Sequence, residues 1–165
     1  MITLYNVVSS DNYIADKNGS EDFIPDNIWD DFLNLCRKYE VVVFGKTTYN
    51  AIQNFDKKLV ASFENLPIKK VVITRDLNFI PKNGYSSFVS PEEVVKKFTN
   101  ILLTSGPGLN TAFLKKKLIN QIILNKIPSV LKEGVTQFEK NITVSLELTS
   151  NIDLDPKLEV YTVVY

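Results

Sequence analysis

Val43-Phe44-Gly45-Lys46-Thr47-Thr48-Tyr49 and Leu103-Thr104-Ser105-Gly106-Pro107-Gly108-Leu109 repeat one design. In each, a hydrophobic run ends in glycine and a helical pattern begins at once. The first run is Glu40 to Phe44, and the second is Ile101-Leu102-Leu103-Thr104. At such a junction the first-turn N–H groups have no partner inside the helix and the positive end of its dipole points outward, so an anion is welcome there. Glycine lets the backbone come close to a ligand. The first junction adds Lys46 and two hydroxyls. The second carries the first two glycines of GxGxxG, but Thr111 stands at the third position and Pro107 offers no N–H. The acidic residue that a dinucleotide fingerprint places about 20 positions later is absent. Alone, each reads as a tight strand-to-helix turn. Together they say more, because parallel strands bring their carboxyl ends to one edge of a sheet.

The rest of the chain extends this alternation. Ile2 to Val8 is a strand, followed by turn-prone residues from Ser9-Ser10-Asp11-Asn12 through Asp16-Lys17-Asn18-Gly19-Ser20, broken only by Tyr13-Ile14-Ala15. This stretch reads as a long mobile loop over a site. Ile28, Trp29, Phe32, Leu33, Leu35, Cys36 and Tyr39 mark one face of a helix, with Asp26 as its N-cap after Pro25. Lys70 to Thr74 is a strand ending at Arg75-Asp76, and Ser90-Pro91-Glu92-Glu93 is a capping box opening a helix to Thr99. Gln121 to Ile127, Ile142 to Thr149 and Leu158 to Tyr165 are strands without room for helices between them, so the tail adds antiparallel strands to a sheet edge. The sequence predicts a single α/β domain over residues 1–165, with a largely parallel sheet.

Composition narrows the chemistry. With no histidine and one cysteine, Cys36, the 165 residues exclude a Ser-His-Asp triad, a Cys-His pair, an internal disulfide and multi-cysteine metal clusters, and no metal site is expected. Nineteen basic and nineteen acidic residues cancel, which gives no general electrostatic argument for nucleic acid or an anionic membrane as partner. No charged leader opens the chain and no apolar run is bilayer-length, so a soluble cytoplasmic protein is expected. Cys36, Trp29 and Tyr49 read as core. Lys115-Lys116-Lys117 reads as a solvated, dipole-matched helix end.

Four segments in order resemble the dihydrofolate reductase superfamily: Leu4 to Ala15, Val42 to Tyr49, Val71 to Asp76 and Leu103 to Leu109. Within it, the branch holding the reductase domain of the riboflavin-biosynthesis deaminase-reductase is nearer. Ser9 to Ala15 resembles that branch's Ser-Leu-Asp-Gly-x-Ile-Ala opening, Gly45 to Tyr49 its Gly-Arg-x-Thr-Tyr turn, and Ser105-Gly106 its Gly-Gly turn. The order holds through Ile127-Pro128-Ser129-Val130-Leu131 and the C-terminal strands.

The resemblance implies a three-layer α-β-α fold, with a mixed, mostly parallel sheet and an antiparallel C-terminal strand pair. It also implies an NADPH-dependent reductase acting on a small heterocycle, close to 5-amino-6-(5-phosphoribosylamino)uracil. By analogy, Gly45, Lys46, Thr47 and Thr48 contact the diphosphate and adenosine side, and Thr74 and Arg75 the 2′-phosphate region. Ser105, Gly106, Gly108 and Leu109 face the diphosphate and nicotinamide side, and Ala15 the carboxamide. Asp11 and Asp26 are the candidate catalytic carboxylates, with turn-forming Asx and N-cap as their ordinary readings; Asp30 reads as solvated first-turn charge. Departures stand at Pro107, at Asn120-Gln121 where relatives have Asp-Glu, and at Lys132-Glu133-Gly134. They keep dihydrofolate reduction and a non-catalytic nucleotide-binding or structural paralogue as alternatives. A homodimer is expected by the same analogy, with the alternation Leu158, Val160, Thr162, Val164 as a strand to share.

Overall fold

A computed structural model describes residues 1–152 and 157–165. In chain order the elements are β1 (Ile2–Ser9), β2 (Tyr13–Asp16), α1 (Ile28–Cys36), β3 (Val41–Gly45), α2 (Lys46–Gln53), α3 (Lys57–Glu64), β4 (Lys69–Ile73), β5 (Ser86–Phe88), α4 (Pro91–Lys97), β6 (Ile101–Leu103), α5 (Pro107–Lys115), β7 (Gln121–Ile127), β8 (Gly134–Thr136), β9 (Ser145–Ile152) and β10 (Lys157–Val164). The architecture is α/β. Eight strands form a mixed, mostly parallel sheet in the order β5-β4-β3-β6-β1-β7-β10-β9, and β2 and β8 form a small second sheet. Among the described residues no helix is long and apolar enough to cross a membrane. The chain divides into two compact units, one of Met1 with Asp26–Ser105 and one of Ile2–Pro25 with Gly106–Tyr165.

In the first unit β3 pairs in parallel with both β4 and β6, and β4 with β5; Val43 lies opposite Val71 on one side and Leu103 on the other. Val41, Val42, Val43 and Phe44 are successive and all fully buried, as a parallel strand covered on both faces requires. Phe63 of α3 packs against Trp29, Phe32 and Phe44, with ring centroids 6.2, 5.9 and 6.1 Å away. Trp29 also donates its indole N–H to Ser62 Oγ at 2.9 Å, and Tyr49 sits edge-on to Phe79 and Tyr85. Tyr49 and Cys36 are buried core residues as expected, whereas Trp29 is half-buried. Burial pushes the Cys36 thiol up to about 12, which keeps it unreactive near neutral pH.

Several elements differ from the sequence reading. The N-cap of α1 is Asn27 rather than Asp26. Asn27 has helical dihedrals and makes no side-chain cap bond, and Asp26 contributes only its main-chain carbonyl, which accepts from Trp29 N–H at 3.1 Å. The helix stops at Cys36, so Tyr39 lies beyond it. Before α4, Glu93 accepts the N–H of Val89 rather than that of Ser90, and Ser90 makes no side-chain cap bond, so the capping box is only half made. The sequence reading passes over α3, which Asp56 caps by accepting from Lys58 N–H, and over the three-residue β5.

In the second unit β1 and β7 are parallel, and β10 runs antiparallel between β7 and β9. The tail therefore adds its strands as expected, but both edges of β10 are taken. Its alternating residues cannot form a strand shared between two copies, which corrects that expectation. The stretch after β1 is not an unstructured loop either. Tyr13, Ala15 and Asp16 pair with Thr136, Val135 and Gly134, and Asp16 Oδ1 accepts the N–H groups of Asn18 and Ser20.

Candidate functional site

In the first unit, β3 delivers Gly45 in extended conformation (φ −82°, ψ 167°) as the cap of α2, with no side chain over the first-turn N–H groups. Lys46 extends its ammonium to Asp76 Oδ2 at 2.7 Å and lies 5.2 Å from the centre of the Phe79 ring. Asp76 in turn donates its N–H to Thr74 Oγ1 at 3.2 Å and accepts from Asn78 N–H at 3.0 Å. The hydrogen bond from Lys46, seconded by that from Asn78, holds the Asp76 carboxyl below its ordinary range. The segment after β4 is thus tied to the first residue of α2. A small cavity of about 130 Å³ opens there, with Thr74, Asp76, Phe79, Phe88 and Glu93 in its wall. Thr47 and Arg75 are exposed, and Thr48 is half-buried. The structure therefore joins Lys46 and Thr74 through Asp76, a residue the sequence reading gave no role.

In the second unit, Gly106 caps α5 in extended conformation with open space where a side chain would be, and Pro107 takes the first helical position. Beside Gly108 lies a carboxylate: Glu139 Oε1 is 3.8 Å from where a Cβ on Gly108 would stand. Glu139 is held there by its neighbours. Its N–H donates to Thr111 Oγ1 at 2.9 Å, Asn110 Nδ2 donates to the Gln137 carbonyl at 2.8 Å, and Gln137 Nε2 donates to Asn6 Oδ1 at 3.0 Å. Segment 137–139 is thus strapped across the first turn of α5. Thr111, at the position of the missing third glycine, is the acceptor that makes this strap possible. Ser105 is buried and Leu109 half-buried.

The carboxylates part company. Asp11 is enclosed by donors: Ser9 Oγ at 2.7 Å, Leu131 N–H at 3.1 Å and Lys132 N–H at 2.8 Å. These bonds, that from Ser9 foremost, lower its pKa. Asp26 and Asp30 are exposed, before and within the first turn of α1. Ala15 is buried and paired with Val135. Sequence reasoning missed Glu139, Gln137, Asn110 and Asn6. Its one available signal was polar residues at buried positions, Asn6 inside β1 and Asn110 in α5.

Because the Asp11 pKa is depressed on folding, the stability it contributes is present above the ordinary carboxylate range and is lost as pH falls through the folded value. Hydrogen-exchange protection of the Leu131 and Lys132 amides is expected to persist at weakly acidic pH and to vanish in strong acid. Asp11→Ala should lower it severalfold at neutral pH. Unchanged protection in that variant would refute the clamp.

No protein-family model matches the sequence, and comparison with curated proteins finds no match. Solved structures do match. A Shewanella sp. PV-4 protein assigned to riboflavin biosynthesis superposes with a TM-score of 0.76 at 22% identity, covering 99% of each chain. The deaminase/5-amino-6-(5-phosphoribosylamino)uracil reductase of Thermotoga maritima gives 0.72 at 14% identity, and the present chain covers 56% of its length. Enterococcus faecalis dihydrofolate reductase, solved with NADP(H), gives 0.66 at 13% identity over 99% of this chain and 96% of its own. The chain has the dihydrofolate reductase fold. At these identities the likeness is one of fold. Within the dihydrofolate reductase fold, α2 follows directly on β3, and α5 begins after a short turn beyond β6.

Proposed function

We propose that the chain is an NADPH-dependent reductase of a small heterocyclic substrate, resembling the 5-amino-6-(5-phosphoribosylamino)uracil reductase of riboflavin biosynthesis. The observation that carries this reading is the pair of helices, α2 and α5, whose N-caps are glycines without a cap side chain, Gly45 at the end of β3 and Gly106 shortly after β6. The residues fit the cofactor's anions. In the first unit, the start of α2 with Lys46, Thr47 and Thr48 suits the diphosphate and adenosine side, and Thr74 with Arg75 suits the 2′-phosphate. In the second unit, Gly106 leaves open space at the start of α5, with Gly108 and Leu109 following; Ser105, the last residue of the first unit, precedes it in the chain. Ala15 serves the carboxamide end.

Bound NADPH would supply the hydride, leaving the protein to position the substrate and deliver a proton. Asp11, ionised and ringed by three donors, suits a fixed acceptor that holds the turn at Leu131 and Lys132. A carboxylate so stabilised has no proton to give near neutral pH. Asp26, exposed just before α1, is the carboxyl proposed as an anchor for the substrate. Lys46 must divide its charge between Asp76 and the cofactor, so Arg75 carries the larger share of 2′-phosphate selection.

NADPH is expected to raise the melting temperature. Arg75→Ala should cut the preference for NADPH over NADH by about tenfold, the loss of one charge-assisted contact. No thermal shift at saturating NADPH would overturn the reading. Dihydrofolate reduction is separated from it by assaying dihydrofolate as oxidant.

A non-catalytic nucleotide-binding paralogue is favoured by one feature, the start of α5, where Pro107 removes a donor and Glu139 places a carboxylate. Binding without turnover over pterin and pyrimidine substrates would support it. A cytoplasmic homodimer belongs to the same proposal, with β9, at the end of the strand order, as the strand to share; its Leu146 and Leu148 are exposed. Sedimentation showing only monomer at micromolar concentration would count against the dimer.

A further inference from the structure

A cleft of about 380 Å³ opens in the first unit beside Lys69 and Ser86, the first residues of β4 and β5. These parallel strands end at Ile73 and Phe88, so the cleft lies at the opposite strand ends from Gly45 and Thr74. Lys69, Lys70 and Lys97 line it, with the rings of Tyr85 and Phe98 and the hydroxyl-bearing Ser86. Among the described residues no carboxylate lines it. Among the described residues none of the three ammonium groups enters an ion pair.

Lys70 is the unusual member, because it is only 5% exposed. Its Nζ donates to the carbonyls of Leu66 at 2.9 Å and Ile68 at 3.2 Å and lies 5.6 Å from the centre of the Phe63 ring. Those contacts satisfy two N–H groups and leave a buried charge with no counter-ion bonded to it. Burial lowers the Lys70 pKa, in keeping with that cost. The neighbouring acids are engaged elsewhere: Glu64 with Lys82 and Tyr85, and Glu40 with Thr99 N–H. Lys97 stands over the rings of Phe88 and Phe98 at 5.4 and 5.9 Å, and Lys69 is exposed at the mouth. Three cations around one cleft concentrate anions there.

We infer that this cleft is a binding site for the phosphoryl dianion of a small phosphomonoester, separate from the dinucleotide reading of the opposite strand ends. The ammonium groups take the charge, the Ser86 hydroxyl adds a donor, and Tyr85 and Phe98 wall the organic part.

Calorimetric titration of the whole chain with ribose 5-phosphate, inorganic phosphate and ribose tests this. Ribose 5-phosphate should bind saturably and ribose should not. Lys69→Ala/Lys97→Ala, both exposed positions, should weaken binding by about tenfold or more, which is about 1.4 kcal/mol. Lys46→Ala/Arg75→Ala should keep it. Inorganic phosphate binding as tightly as the ester, and lost in the same double variant, supports the site with free phosphate as its source. No saturable binding of either phosphate, or binding unchanged in Lys69→Ala/Lys97→Ala, overturns the inference.

Discussion

Gly134→Ala is expected to break the small β2–β8 sheet and to reduce activity more than global stability. A Cβ at this position would fall on the carbonyl oxygen of Ala15, and would stand 3.1 Å from both Cβ and Cγ of Tyr13. The Tyr13 ring could turn aside, but a backbone oxygen inside a ladder cannot move without parting Asp16 from Gly134 and Ala15 from Val135. Overpacking of this kind costs about 1–3 kcal/mol. The damage would spread along the ladder to the Lys17–Glu133 pair at 2.7 Å and toward the Asp11 clamp on Leu131 and Lys132. If Ala15 serves the cofactor as proposed, turnover should fall well beyond what the melting temperature accounts for. Hydrogen exchange at residues 13–16, read beside the melting curve, decides it. Wild-type protection there in the variant would show that the clash is relieved elsewhere.

Phe63→Ala should be the costliest single truncation in the first unit. The ring is fully buried and touches Trp29 of α1, Phe32 of α1 and Phe44 of β3, and the Lys70 ammonium lies over it. Losing a buried phenyl costs about 3–5 kcal/mol, because the transfer energy is lost and a cavity is left. Here the cavity would also strip one face of shelter from a buried cation. Urea denaturation gives the loss, and Trp29 emission should shift with it. A loss under about 1 kcal/mol would mean that the cluster closes over the gap. Phe63→Leu, which keeps part of the volume, should recover much of the stability.

How much the sequence revealed depended on how local the cause was. Gly45 and Gly106 cap their helices where the strand-to-helix switch predicts, because the switch is written in adjacent residues. The C-terminal strands were legible because too few residues separate them to hold helices. Pairing across the chain was not. Nothing near Tyr13 announces that Thr136 will lie beside it, so a short strand looked like loop. Asp26 lost the cap to Asn27 by one residue, a choice made by dihedrals that composition does not encode. The site divides the same way. Lys46 and Arg75 stand in recognisable turns, whereas Glu139 reaches Gly108 only because Thr111, Asn110 and Asn6 hold its segment in place.

The interleaving of the two units has a consequence for synthesis on the ribosome. The first unit is continuous apart from Met1, so it can assemble as soon as residue 105 has emerged. The second cannot. On the edge that takes β7, its β1 must wait through the whole of that interval, since Thr3 pairs with Gln121. Then β9, though translated before β10, finds its partner only when β10 has slotted in between it and β7. A nascent chain thus carries a β1 edge open toward β7 and, later, a β9 that still lacks β10. Stalling translation between residues 105 and 157 is the interval in which aggregation or chaperone capture should concentrate.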